Sequence, residues 1–208
     1  MVFSIMMRVA EFKTGNSDNL GDFRNTLRVG KERSLETASG QRALMITQLD
    51  SPLGAVLVAS DEEAVYLVEF GDRNMLDKQF QTLGKRLGAV FYPGETGPSR
   101  KLRTELTEYF AGKRTSFETP VAHPGTSHQE LVWRNLSAVP YGTTTSYGEL
   151  AARTGGASGA RAVARAVGAN RLAIILPCHR VVGADGKLTG YSGGLRRKRY
   201  LLNLEQSR

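Results

Sequence analysis

Leu172-Ala173-Ile174-Ile175-Leu176 is an unbroken apolar run, and Pro177 closes it. The next residue, Cys178, is the only cysteine in 208 residues. A run this apolar must be buried, and it reads as a strand or strand-like segment. The chain just after it carries a thiol at Cys178, an imidazole at His179 and a guanidinium at Arg180 to the end of a rigid element. A glycine-rich loop, Gly183 to Gly194, follows directly. A single cysteine excludes an internal disulfide and a cysteine-caged zinc site. A lone free cysteine is most often a small buried hydrophobe. The neighbours of Cys178 instead favour a working nucleophile, because thiolate is the strongest one a side chain commonly offers near neutral pH.

The net charge is +8, and its placement says more than its size. From Arg153 to Arg208 there are eleven Lys or Arg against only Asp185 and Glu205. The excess positive charge therefore lies in the segment that carries the cysteine. That is the footprint of a polyanion binder. Taken alone, Arg196-Arg197-Lys198-Arg199 reads equally well as a solvated face. No apolar run approaches the roughly 18 residues that span a bilayer, and Met1 to Arg8 lacks the apolar core of a signal peptide. A reduced cytoplasmic setting, or a nuclear one in a eukaryote, suits a free thiol.

The pattern divides the chain into three parts. Residues 1–42 are polar and weakly periodic and read as a mobile extension. Residues 43–120 read as an α+β domain. Its apolar segments at Ala43–Thr47, Gly54–Ala59 and Ala64–Phe70 predict an antiparallel meander. Helical spacing follows over Asn74–Leu87 and Ser99–Phe110. Residues 121–208 read as a mostly helical domain. Ser127-His128-Gln129-Glu130 and Ser146-Tyr147-Gly148-Glu149 both fit the capping box, and each predicts a helix start. The second helix, Tyr147 to about Arg153, runs into a glycine turn. Ser158 is then a candidate N-cap for a third helix, Gly159 to about Val167. Two short helices joined by a tight turn make a helix-turn-helix. Nearly every side chain of the third helix is small, and Arg161 and Arg165 share one face. Such a slim helix can approach a nucleic-acid backbone closely.

Pro177-Cys178-His179-Arg180-Val181 at the end of an apolar run resembles the signature of the O6-alkylguanine-DNA alkyltransferases. The resemblance extends over roughly Ala43 to Glu205 and is close from Trp133 onward. It implies a ribonuclease-H-like N-terminal domain followed by a winged helix-turn-helix-like C-terminal domain. It implies a monomer acting on double-stranded DNA that contains O6-alkylguanine, with no cofactor. Some members carry a structural zinc in the N-terminal domain; with no cysteine there, no metal is expected in this chain. O4-methylthymine is the second base to consider. Cys178 corresponds to the alkyl acceptor. His179 corresponds to the imidazole that takes the thiol proton through water, and Glu205 to the carboxylate that orients it. Tyr147 corresponds to the phenol that protonates the leaving guanine. Asn170 corresponds to a hinge between the recognition helix and the active-site segment. Arg161 corresponds to the finger that replaces the extruded nucleotide, with Ala160, Ala162 and Arg165 beside it on the DNA-facing helix. Tyr191, Ser192 and Gly193 correspond to the loop that closes over the base. The backbone carbonyls of Cys178 and Val181 would accept from the guanine amine. His128 stands where many members carry Phe and reads as a buried or half-buried helix residue, not a ligand.

Three rivals remain. A lesion sensor of the alkyltransferase-like kind lacks the acceptor cysteine. A transcriptional regulator of this family adds a cysteine-rich zinc domain. A cysteine hydrolase needs an oxyanion hole, which nothing in the sequence marks.

Overall fold

The structure is a computed structural model, and it describes residues 41–155 and 159–207. The extension read over residues 1–42 falls outside these except for its last two positions, and so does the Ser158 cap. By internal contacts the chain divides into two compact units. One runs up to Thr104 and adds Thr119–Ala122; the other comprises Glu105–Glu118 and His123–Arg208.

The first unit is built on a mixed four-stranded sheet. Strands β1 (Arg42–Leu49), β2 (Val56–Ser60) and β3 (Val65–Phe70) form the expected antiparallel meander. Every residue of β2 and β3 is buried, Ser60 and Glu69 included, so neither strand shows a polar face alternating with an apolar one. Helix α1 (Leu76–Leu87) packs Leu76, Phe80 and Leu83 on Leu44, Ile46, Leu57 and Leu67 of the sheet. Gly88 ends it in the left-handed conformation, φ 59°, and its N–H bonds the Gly84 carbonyl. That turn leads straight into β4 (Ala89–Pro93), which pairs with β1 in parallel and gives the order β3-β2-β1-β4. Sequence pattern does not reveal β4. It is a half-buried edge strand of five residues that ends in proline, so neither alternation nor a long apolar run marks it. Helix α2 (Gly97–Phe110) follows and crosses the division between the units.

The second unit is mostly helical. Helix α3 (Ser127–Ser137) packs on α5 (Ala160–Gly168), and α5 packs on α4 (Tyr147–Arg153). The α4–α5 pair is the helix-turn-helix. Trp133 is buried between α3 and α5, and its indole N–H donates to the Ala166 carbonyl at 2.9 Å. Strand β5 (Thr145–Ser146) pairs in parallel with β6 (Val181–Val182). Helix α6 (Leu195–Gln206) closes the chain. No described helix is long and apolar enough to cross a membrane.

Two expectations are corrected. Leu172–Leu176 is buried, apart from the half-buried Ile175, but is not a strand. It folds back on itself, with the Leu176 N–H on the Leu172 carbonyl at 2.9 Å and the Ile175 N–H on the Ala173 carbonyl at 2.9 Å. Ile174 takes φ 72°, a strained value for a β-branched residue. Its apolar character serves burial, and a short apolar run cannot distinguish a strand from a packed turn. The cap of α3 is Thr126, one residue before the expected Ser127. The Thr126 hydroxyl accepts from the Gln129 N–H, and the Gln129 amide accepts from the Thr126 N–H. Both registers satisfy the same pattern because Gln serves at the third position as well as Glu. At α4 the Ser146–Glu149 box forms as expected.

The two registers differ in their consequences. Thr126→Ala is expected to cost about 1 kcal/mol in urea unfolding. Ser127→Ala, at an exposed first-turn position, should cost less than about 0.5 kcal/mol. The reverse order would contradict the observed cap.

Candidate active site

The folded-back segment ends at Pro177, and a single 3-10 turn, Cys178–Arg180, follows. All three residues of the turn are buried. The β5–β6 pair then fixes what lies opposite. Thr145 aligns with Val181 and Ser146 with Val182. This ties the first residue of α4, Tyr147, to the turn that carries Cys178. The capping box at Ser146 holds Tyr147 from the other side.

Asn170, just past the end of α5, is the polar anchor of the segment. Its side-chain oxygen accepts from the Leu172 N–H at 2.8 Å. Its amide donates to the Leu176 carbonyl at 3.0 Å and lies 3.1 Å from Cys178 Sγ. One side chain therefore links the segment just past α5 to the thiol.

His179 is fully buried, and its Nε2 lies 2.8 Å from Glu205 Oε1. Arg180 grips the same carboxylate with Nε on Oε2 at 2.8 Å and Nη2 on Oε1 at 2.9 Å. Its third nitrogen donates to the Val139 carbonyl at 2.7 Å. Burial alone would raise the Glu205 pKa, but the bonds from His179 and Arg180 outweigh it and hold the carboxyl well below the usual range. An ionised Glu205 only accepts, so His179 Nε2 carries the hydrogen and Nδ1 is left as the basic nitrogen. Nδ1 has no protein partner among the described residues. Burial is also the main cause that lowers the His179 pKa, against the pull of Glu205.

The Tyr147 hydroxyl donates to the Gly190 carbonyl at 3.2 Å, which brings it to the glycine-rich loop. Burial, then the charge of Cys178, raises its pKa. In that loop Tyr191 is half-buried, with its ring 6.5 Å from that of His179 and edge-on. Ser192 is exposed and Gly193 buried. On α5, Arg161, Arg165 and Ala160 are exposed and Ala162 is half-buried, while Val163, Ala166 and Val167 face the core. Thus Cys178, Asn170, Tyr147, Val181 and Tyr191 converge with the His179–Glu205 pair. Arg161 and Arg165 lie on the outward face of the recognition helix. His128 is a half-buried residue of α3.

Sequence reasoning passes over three residues. Arg180 was visible only as a flanking charge. Tyr109, on α2, gave no signal; its hydroxyl donates to Glu205 Oε1 at 2.8 Å. With its basic neighbours Lys198 reads as a surface residue, but it is fully buried. Its ammonium donates to the carbonyls of Val181, Thr189 and Gly190. Burial lowers its pKa to about 8. A helical period could have marked it, since Lys198, Leu201, Leu202 and Glu205 form the inner face of α6. Among the described residues no cluster of His, Cys, Asp and Glu could hold a metal ion.

Two family models match the chain. Residues 44–123 match the ribonuclease-like domain of 6-O-methylguanine DNA methyltransferase, and residues 127–207 match its DNA binding domain. A methylated-DNA–protein-cysteine methyltransferase of Mycobacterium tuberculosis is 41% identical over 160 residues, covering 77% of this chain and 91% of the relative. One from Methanosarcina acetivorans is 41% identical over 162 residues, covering 76% and 96%. The crystal structure of the Mycobacterium tuberculosis O6-methylguanine methyltransferase superposes with a TM-score of 0.69 at 38% identity, covering 79% of this chain and 94% of the other. The mycobacterial protein in complex with DNA superposes with a TM-score of 0.66 at 38% identity, covering 79% and 93%.

The buried pair sets a pH dependence. The folded pKa values of His179 and Glu205 both lie below their unfolded values. As pH falls, the unfolded chain binds each proton first, so stability is lost. The free energy of urea unfolding is expected to decline as pH drops through about 6.5, where unfolded histidine titrates, and again below about 4.5. Stability that rises on acidification from about pH 7 to about pH 5.5 would contradict a neutral buried His179.

Proposed function

The chain belongs to the methylated-DNA–protein-cysteine methyltransferase family, and from that premise we infer that it repairs O6-alkylated guanine in duplex DNA by moving the alkyl group onto its own Cys178. The observation that carries this reading is the buried turn Cys178–Arg180. It sets the only thiol beside Asn170 and directly before an imidazole held by Glu205.

The substrate carbon lies inside the duplex, so the base must leave the stack. The exposed face of α5 approaches DNA, with Ala160 and Ala162 leaving room around Arg161. Arg161 fills the space of the extruded nucleotide, and Arg165, one turn on, contacts phosphate. The flipped base enters between Tyr147 and the loop Tyr191–Gly193, and Ser192 reaches toward its O6. The carbonyls of Cys178 and Val181 accept from its amine. Val181 can do so while bonded to Lys198 because a carbonyl has two lone pairs.

The thiol proton passes through water to His179 Nδ1. The thiolate attacks the alkyl carbon, a carbon–sulfur bond forms, and the bond from carbon to O6 breaks with its electron pair staying on guanine. Tyr147 supplies a proton to the departing base, and its raised pKa keeps that proton available. The product is a thioether. Nothing in the site returns it to thiolate, so each molecule acts once. A free thiol suits a reducing cytoplasm, and one protomer carries the complete set of residues, consistent with action as a monomer.

Cys178→Ser is expected to abolish transfer yet leave duplex binding nearly intact, because affinity comes mainly from phosphate contacts. Arg161→Ala leaves the buried residues untouched. At saturating DNA it is expected to slow repair of duplex O6-methylguanine by about ten- to a hundredfold, a loss of roughly 1.4–2.8 kcal/mol in offsetting extrusion. Its reaction with the free base O6-benzylguanine, which needs no flipping, should barely change. Equal slowing on both substrates would remove Arg161 from the flipping role.

A further inference from the structure

Tyr109 lies near the end of α2, outside the stretch that matches the DNA binding domain model, yet its fully buried phenol reaches the active site. Its ring sits 5.4 Å from Phe110, 5.4 Å from Phe117 and 6.2 Å from Tyr141, so its position is fixed by packing. Its hydroxyl donates to Glu205 Oε1 at 2.8 Å. That oxygen also takes His179 Nε2 at 2.8 Å and Arg180 Nη2 at 2.9 Å.

We propose that Tyr109 is a positioning residue for alkyl transfer: it shares Glu205 Oε1 with His179 and so limits how basic that carboxylate makes the imidazole. The inference rests on His179 being the base for Cys178. Burial, then the charge of Glu205, pushes the Tyr109 pKa far above its ordinary value, so the phenol remains a donor throughout the working pH range. A carboxylate oxygen that serves three donors offers less charge to each.

The charged groups that act on His179 are Glu205, Arg180 and Lys198; Cys178 precedes it in the same turn, and the ring of Tyr191 lies edge-on to it. Those around Tyr109 are Glu205, Arg180 and Tyr141. Glu205, and Cys178 once ionised, favour the imidazolium; Arg180 and Lys198 oppose it. Deleting the phenol oxygen leaves His179 a larger share of Glu205 and raises its pKa. Only neutral imidazole takes the thiol proton, so the acidic limb of the rate profile moves to higher pH.

Tyr109→Phe keeps the ring and its packing. Two quantities are read across pH in wild type and variant: the rate with free O6-benzylguanine, without DNA, and the nitrogen-15 shifts of the His179 ring. The acidic limb and the His179 titration should both move up by about half to one pH unit, with the high-pH rate within about threefold of wild type. In a Glu205→Gln background the second substitution should move neither further. A folded variant whose His179 titration stays put or falls overturns the proposal. So does an undiminished shift in the Gln background, or a variant that fails to fold, which would assign the hydroxyl to the fold alone. A wild-type chain that takes no methyl from duplex O6-methylguanine would count against alkyl transfer itself, and the His179 titration would still decide the role of Tyr109.

Discussion

Glu205 takes hydrogen bonds from His179, Arg180, Tyr109 and the Gly142 N–H, all around a carboxylate removed from solvent. Ionised carboxylates are costly to bury unless paired and fully bonded. Here the cost is offset by a guanidinium on both oxygens, a phenol, a backbone donor and an imidazole. The same constraint ties together distant parts of the second unit. Glu205 comes from α6, His179 and Arg180 from the turn after Pro177, Tyr109 from α2, and Gly142 from the loop before β5. None of these elements can shift without leaving a buried donor or acceptor unmatched.

Backbone geometry then carries that rigidity to the reacting atoms. The β5–β6 pair places Tyr147 opposite the residues that follow Arg180. Asn170 joins the end of the recognition helix to Cys178. Lys198 draws Val181 and the loop carbonyls of Thr189 and Gly190 onto one buried ammonium. Helix α5, the thiol and the glycine-rich loop are thus held in place by the buried side chains of Asn170 and Lys198. Precise placement of a nucleophile by a supporting shell accounts for much of what an active site does.

Much of this was legible in the sequence because the informative residues are close together. The Pro177–Val181 motif, the two capping patterns and the paired arginines of α5 are local signals. The antiparallel meander was equally readable, since turn residues separate its apolar runs. The missing parts are non-local or ambiguous in pattern. Strand β4 is an edge strand with no alternation. Leu172–Leu176 is apolar for burial, and only Ile174 in its left-handed conformation and the Asn170 bonds show that it turns. Tyr109 is 96 residues from Glu205, and no spacing rule links them. Lys198 was hidden among three arginines, and only its register on α6 with Leu201, Leu202 and Glu205 places it inside.

The central claim is that a buried, hydrogen-bonded thiol accepts an alkyl group once and keeps it. The most direct measurement is the intact mass of the chain after incubation with increasing amounts of duplex containing O6-methylguanine, followed by peptide mapping. The account predicts a gain of one methyl per chain on the peptide that contains Cys178, saturating at equal stoichiometry and matched by restored guanine in the DNA. Restored guanine in excess of protein, or a methyl on any other residue, would contradict it.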